Sequence, residues 1–322
     1  MRKMRMLALV WVALCFGVIF LACAGSKNEV SSVPRIADNS ERQHFLWRIS
    51  DENSSLWILG SVHFADSTFY PLDSVIESAF VNSEELAVEI DISDDSVSND
   101  VAQKSMRQGM LPAGTSLNQI LPRPLWNSLD SLCTAWNFPT AGIMRMRPWY
   151  AAMTLSVIAI QRTGVEPEYG VDVVLMDRAA EEGKTIVALE TADDQVSALA
   201  DTSDSDSSGI YYLKSTLREI SELDSMVAQM MRAWKTGNDS LLREVMNEEP
   251  ADENRTASDS AIQKNIEDKI YTSRNEKMAE SIAQFLADDR KIFVVVGAAH
   301  LVLDNDNVID LLKRRGLKVE RF

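Results

Sequence analysis

A chain of 322 residues with 46% apolar content is long enough to bury a large core. Its formal charge of -16 argues against nucleic acid as a partner, because such partners need a basic surface. Cysteines fall at Cys15, Cys23 and Cys133, and only Cys133 lies beyond the N-terminal segment, so the folded part has no internal disulfide and must rely on its core.

Arg2, Lys3 and Arg5 precede an unbroken apolar run from Leu7 to Leu21, followed by Ala22, Cys23, Ala24 and Gly25. The run is short for a membrane span, which needs about 20 residues, and it predicts a signal peptide over residues 1–22. Small residues around Cys23 resemble the lipobox of bacterial lipoproteins, in which the cysteine is acylated and becomes the mature N-terminus. Phe20 and Leu21 make the match a loose one, and an ordinary cleaved signal or an uncleaved anchor remain the alternatives. All three place the fold outside the cytoplasm, in a bacterial cell envelope, with membrane contact through an N-terminal lipid or anchor. The polar residues 23–42 read as a flexible tether, and residues 43–322 as the folded domain.

Strand formers from His44 to Ile49 and from Leu56 to Val62, separated by the loop residues 51–55, predict a β-hairpin. A short helix near Asp73–Phe80 and a strand from Glu85 to Ile90 follow. Thr115 to Gly183 is mostly helical, with Pro148 at a first helical position, and Thr185 to Leu189 reads as a buried strand. Thr191 and Asp194 mark a helix start. Apolar residues at spacings of three and four predict one long amphipathic helix from Tyr212 to Trp234. Helices at Asp239–Met246 and Ala261–Leu286, a strand at Ile292–Val296, a helix at Val308–Arg315 and a strand at Leu317–Arg321 complete the chain. This alternation predicts an α/β fold: a mixed central β-sheet flanked by helices, with a large helical middle segment. Ser93–Asp100, Asp201–Ser208 and Glu248–Ser260 are acidic and serine-rich and read as solvated loops without EF-hand spacing.

The strongest internal signal is a short repeat. Leu56–His63 and Phe293–His300 each run an apolar strand into a glycine with a histidine three places on, and the chain holds 3 histidines in all. Ligands of open α/β sheets bind outside the carboxyl ends of strands, where His63 and His300 would project. His44, without the glycine, reads as structural. Glu89 is the best third group, on the strand face opposite Leu86, Val88 and Ile90, with Asp91 two residues on along the same face. Two imidazoles and a carboxylate leave positions open for water and substrate, as catalytic metal sites require.

With these residues in place the chain resembles the TraB/GumN family, which includes the Tiki proteases and pheromone-shutdown proteins of the PrgY type. The resemblance runs through Trp57–Phe64, Tyr70–Leu72, Leu86–Asp91, Pro148 with Trp149, and Gly170–Asp172. It continues through Gly183–Gln195, Trp234 with Gly237, Arg274 with Asn275 and Met278, and Val295–Val302. It implies an erythromycin esterase/ChaN-like fold and, from the Tiki branch, metal-dependent peptide hydrolysis at His63, Glu89 and His300. It also implies an arginine at Arg274, which we assign to binding a carboxylate or stabilising an oxyanion, and acidic groups at Asp172 and Glu190 in supporting or substrate-binding roles. The chain departs from the family after His300, where Leu303, Asp304, Asn305 and Asp306 stand in place of a glycine.

The expected function is a metal-dependent hydrolase, a peptidase acting on a peptide or protein substrate, using manganese or cobalt in preference to zinc. Metal-free ester hydrolysis, with a histidine base aimed by Glu89, is the second enzymatic reading. A tethered haem- or peptide-binding protein is the non-catalytic one. The oligomeric state is left open.

Overall fold

Strands β1 (Leu46–Ser50) and β2 (Ser55–Ser61) form the expected antiparallel hairpin. Its turn closes on Asp51 Oδ1, which accepts from the backbone N–H groups of Asn53 and Ser54. The computed structural model describes residues 43–201, 203, 205–247, 255–303 and 306–322; residues 1–22, Cys23 and the tether to residue 42 lie outside the described residues.

Strands β3 (Glu85–Val88), β4 (Thr185–Ala188), β5 (Ile292–Gly297) and β6 (Lys318–Arg321) complete a six-stranded sheet in the order β4-β3-β5-β2-β1-β6. Neighbours from β4 to β2 are parallel, while β1 runs antiparallel to both β2 and β6. The sheet is therefore mixed. Every residue of β5 is buried, and burying each of its apolar side chains stabilises the fold by roughly 1.5–3 kcal/mol relative to exposure. Thus the second glycine-histidine motif leaves from the most protected strand.

Helices α1 (Ser74–Val81), α2 (Asp95–Gly109), α3 (Leu117–Ile120), α4 (Arg123–Ala135), α5 (Pro148–Gln161) and α6 (Val171–Glu181) lie between β2 and β4. Pro148 opens α5, and Cys133 is a buried free thiol in α4. Helices α7 (Ala192–Leu199), α8 (Ser207–Glu219), α9 (Leu223–Lys235), α10 (Asp239–Asn247), α11 (Ala257–Glu267) and α12 (Ser273–Ala287) separate β4 from β5. The short α13 (Ala298–Val302) and α14 (Val308–Arg314) precede β6. Among the described residues no helix is long and apolar enough to cross a membrane.

Several expectations need correction. β4 is an edge strand with Thr185 and Ala188 exposed, so its apolar run does not mark a buried strand. The strand at Glu85 ends at Val88, which leaves Glu89 just past it. The helix expected over Tyr212–Trp234 is two, α8 and α9, joined by a 3-10 turn at Ile220–Glu222 that preserves the apolar spacing and so hides the break. Within Ser93–Asp100, α2 starts at Asp95, and Asp94 caps the N–H of Ser96 at 2.7 Å. Asp201 is buried and accepts from the Gly209 N–H at 2.9 Å, tying down the start of α8. Of Glu248–Ser260, residues 248–254 lie outside the described residues, and a capping box at Thr256 starts α11. A π-helical turn at Asp268–Thr272 joins α11 to α12, and sequence periodicity does not register it.

Candidate active site

The register of β2 against β5 sets Ser61 beside Gly297, so the two matching motifs leave adjacent parallel strands at the same end of the sheet. Their glycines do different work. A Cβ at Gly60 would lie 2.9 Å from the Ala298 Cα, so Gly60 permits the second motif to pack against the first. Trp234 Nε1 holds that point by donating to the Gly60 carbonyl at 2.7 Å. A Cβ at Gly297 would lie 3.3 Å from Glu89 Oε1, 3.6 Å from His63 Nε2 and 3.7 Å from His300 Cδ2. Gly297 thus marks the point on which the three side chains converge.

All three are buried, with His63 at 4%, Glu89 at 3% and His300 at 0% exposure. Glu89 Oε1 accepts the Gly297 N–H at 2.7 Å and lies 3.9 Å from His300 Nε2. His63 Nδ1 bonds Asp172 Oδ2 at 2.7 Å, and His300 Nδ1 bonds Asn275 Oδ1 at 2.6 Å. The Nε2 atoms of both rings are buried without a hydrogen-bond partner, as are Asp172 Oδ1, Ser61 Oγ and the Tyr271 hydroxyl. Buried polar atoms are ordinarily paired, so two bare Nε2 atoms close to Glu89 are the chemistry of a binding centre.

Asp172 reaches His63 from the first turn of α6, where the helix dipole favours a negative charge. The Val171 N–H donates to the Val62 carbonyl at 2.9 Å and docks that helix end on the first motif. Burial pushes the His63 imidazole down, but the Asp172 carboxylate, with Glu89, outweighs it and raises the ring to about 9. His300 has an amide behind it, and burial leaves it at about 3. The repeated motifs therefore hold chemically unlike imidazoles.

Beyond the strand ends, the Leu189 N–H donates to the Val88 carbonyl and the Glu190 N–H to the Glu89 carbonyl, at 2.8 and 2.9 Å. Glu89 and Glu190 consequently lie side by side and share Arg274. Its Nε and Nη2 grip Glu190 at 2.8 and 2.7 Å, Nη2 reaches Glu89 Oε2 at 2.6 Å, and Nη1 donates to the Ile270 carbonyl at 3.3 Å. Gln195 Nε2 adds a bond to Glu190 Oε2 at 2.5 Å. Burial raises the Glu89 carboxyl, but Arg274, followed by the two imidazoles, outweighs it and holds Glu89 below the usual carboxylate range. With one cation between two acids, burial moves Glu190 up.

The structure brings together His63, Glu89, His300, Arg274, Asp172 and Glu190. Arg274 is 3% exposed and its guanidinium engages two carboxylates and a carbonyl, so in this structure it clamps Glu89. Asp91 is not brought in, because its Oδ1 accepts from the N–H and hydroxyl of Ser93 at 3.1 and 2.5 Å in the turn before α2. Asn275, Gln195, Tyr271 and the Gly297 amide escaped assignment from sequence. Tyr271 comes from the π-helical turn and packs its ring 5.3 Å from that of His300. An adjacent polar pair, Arg274 and Asn275, on an otherwise apolar helix face was the available signal.

Among the described residues no group of three His, Cys, Asp or Glu side chains is placed to hold a metal ion as it stands. The donor chemistry nevertheless fits a divalent cation. Two unpaired imidazole nitrogens face an ionised carboxylate, and each ring's second nitrogen is already fixed by an acceptor, the arrangement metal-binding histidines require.

Comparison with known proteins adds lineage to this geometry. The family model described as TraB/PrgY/gumN family matches residues 45–321. The protein YbaP of Escherichia coli strain K12, described as uncharacterized, is 24% identical over 262 residues, covering 80% of this chain and 89% of YbaP. YbaP of Shigella flexneri matches to the same extent, with 24% identity over 262 residues. The metalloprotease TIKI1 of Danio rerio is 25% identical over 368 residues, covering 99% of this chain and 72% of TIKI1. No solved structure matches.

Proposed function

We propose, from the premise that the chain belongs to the TraB/PrgY/gumN family, that it is a metal-dependent hydrolase cleaving peptide bonds in a peptide or protein substrate at the cell envelope. The observation that carries the reading is the pair of buried, unpartnered Nε2 atoms of His63 and His300 converging with Glu89 on Gly297. The 25% identity to the metalloprotease TIKI1 supports it, and manganese or cobalt, with zinc as the alternative, is the metal this reading expects. The erythromycin esterase/ChaN-like relationship of the fold, and tethering through Cys23 or an N-terminal anchor, belong to the same proposal.

In this reading His63 and His300 would hold the cation through their bare Nε2 atoms, with Glu89 as the neighbouring carboxylate. A bound divalent metal supplies a water of lowered pKa and polarises the scissile carbonyl. Asp172 and Asn275 keep the two rings aimed. Glu89, held ionised by Arg274, accepts a hydrogen bond from the attacking water and so orients it. Burial of the cluster excludes bulk water, which strengthens each of these interactions.

The test is elemental analysis of the purified chain beside Glu89→Ala and His300→Ala, with peptide hydrolysis followed before and after chelation and metal add-back. Metal lost in both variants and hydrolysis restored by add-back support the reading; hydrolysis indifferent to chelator sinks it. That second outcome would favour metal-free ester hydrolysis, with a histidine base aimed by Glu89.

A further inference from the structure

Asn275 stands on α12 directly after Arg274 and is 1% exposed. Its two amide ends meet two different partners: Oδ1 lies 2.6 Å from His300 Nδ1, and Nδ2 lies 3.2 Å from the backbone carbonyl oxygen of Asp306. We infer that Asn275 is a positioning residue that locks His300 in the Nδ1–H tautomer and keeps its Nε2 bare toward Glu89.

The direction of each hydrogen bond decides the tautomer. A backbone carbonyl oxygen accepts and never donates, so the NH2 end of the Asn275 amide must face Asp306. That fixes which end faces the imidazole. Oδ1 also only accepts, so His300 Nδ1 must carry the proton, and a neutral ring then holds its lone pair at Nε2. Nε2 is the buried atom without a partner, 3.9 Å from Glu89 Oε1, where a proton on it would have found the carboxylate only beyond hydrogen-bond range. Asp306 takes a left-handed backbone with φ 49, and its carboxylate is bonded by Arg314 at 2.8 Å.

The inference deepens the hydrolase reading and rests on it for its purpose, but it is tested apart from it. With 3 histidines in the chain, long-range 1H–15N correlation on the full-length, chelator-treated, 15N-histidine-labelled protein above neutral pH resolves each ring. The expected result is a protonated Nδ1 and a bare Nε2 for His300. N275A should shift that ring toward the Nε2–H form, and N275D, which keeps an accepting oxygen, should restore the wild-type pattern. Cobalt affinity should fall 10–100-fold in N275A and recover at least in part in N275D. A wild-type His300 carrying its proton on Nε2, or a tautomer unmoved in N275A, overturns the assignment without touching the hydrolase reading. A tautomer that shifts in N275A as stated, beside a wild-type chain that binds no metal, supports the assignment while removing the hydrolase reading.

Discussion

The backbone N–H of Gly297 points at Glu89 Oε1 from 2.7 Å, joining the end of β5 to the residue that follows β3. The second histidine motif therefore does more than deliver His300. Its glycine supplies a donor to the carboxylate and the open space in which the carboxylate and both imidazoles meet.

That space is the target of the first prediction. Gly297 has φ -52, which alanine adopts without backbone strain, so Gly297→Ala should still fold cooperatively. Its methyl group would sit 3.3 Å from Glu89 Oε1 and 3.6 Å from His63 Nε2, in the middle of the proposed centre. Metal affinity by titration calorimetry should drop by at least about tenfold, by analogy with the loss on disturbing groups around a metal. Normal affinity in a well-folded variant would mean the cation does not bind there.

Arg274 should behave as a clamp. Replacing it by methionine strands Glu89 and Glu190 as buried carboxylates, and breaking such a pair costs about 3–5 kcal/mol. Urea unfolding should show that loss for Arg274→Met and a smaller one for Glu89→Gln, which keeps shape and relieves a charge. If Arg274 instead bound substrate, Arg274→Met would raise KM and leave the unfolding midpoint in place.

The unlike imidazoles give a pH signature in the chelator-treated chain. His63 is raised from an ordinary value of 6.5 to about 9 in the folded state. Its stabilising contribution is therefore complete below pH 6.5 and fades as pH rises through 9, with a size of about 3 kcal/mol. His300, lowered to about 3, changes its contribution only below 6.5, so the two do not overlap. Melting temperature should fall between those upper values in the wild type, and Asp172→Asn should flatten the fall. An equally steep profile in that variant would show that Asp172 is not the cause.

Much of this arrangement was legible beforehand, and for a physical reason. Apolar strands ending in glycine and histidine are short local patterns, and the parallel pairing of β2 with β5 turns their repetition into proximity. Glu89 was readable as an acid at the carboxyl end of an apolar strand, although the strand itself stops at Val88. Arg274 could be found but not interpreted, since its partners Glu89 and Glu190 are distant in sequence and only the pairing of β3 with β4 makes them neighbours. Asp91 failed for a complementary reason: the strand ends at Val88, so alternation no longer governs which way its side chain points. The π-helical turn leaves no trace in periodicity, and Tyr271 was hidden with it.

The placement of β5 and β6 near the end of the chain also governs when the centre can exist. Until Ile292–Gly297 has been synthesised and inserted between β3 and β2, His63 and Glu89 have neither the strand that separates them nor the amide that holds the carboxylate. Pairing across so long an interval of sequence is slow to form, so a polypeptide truncated before Ile292 should lack the proposed metal binding.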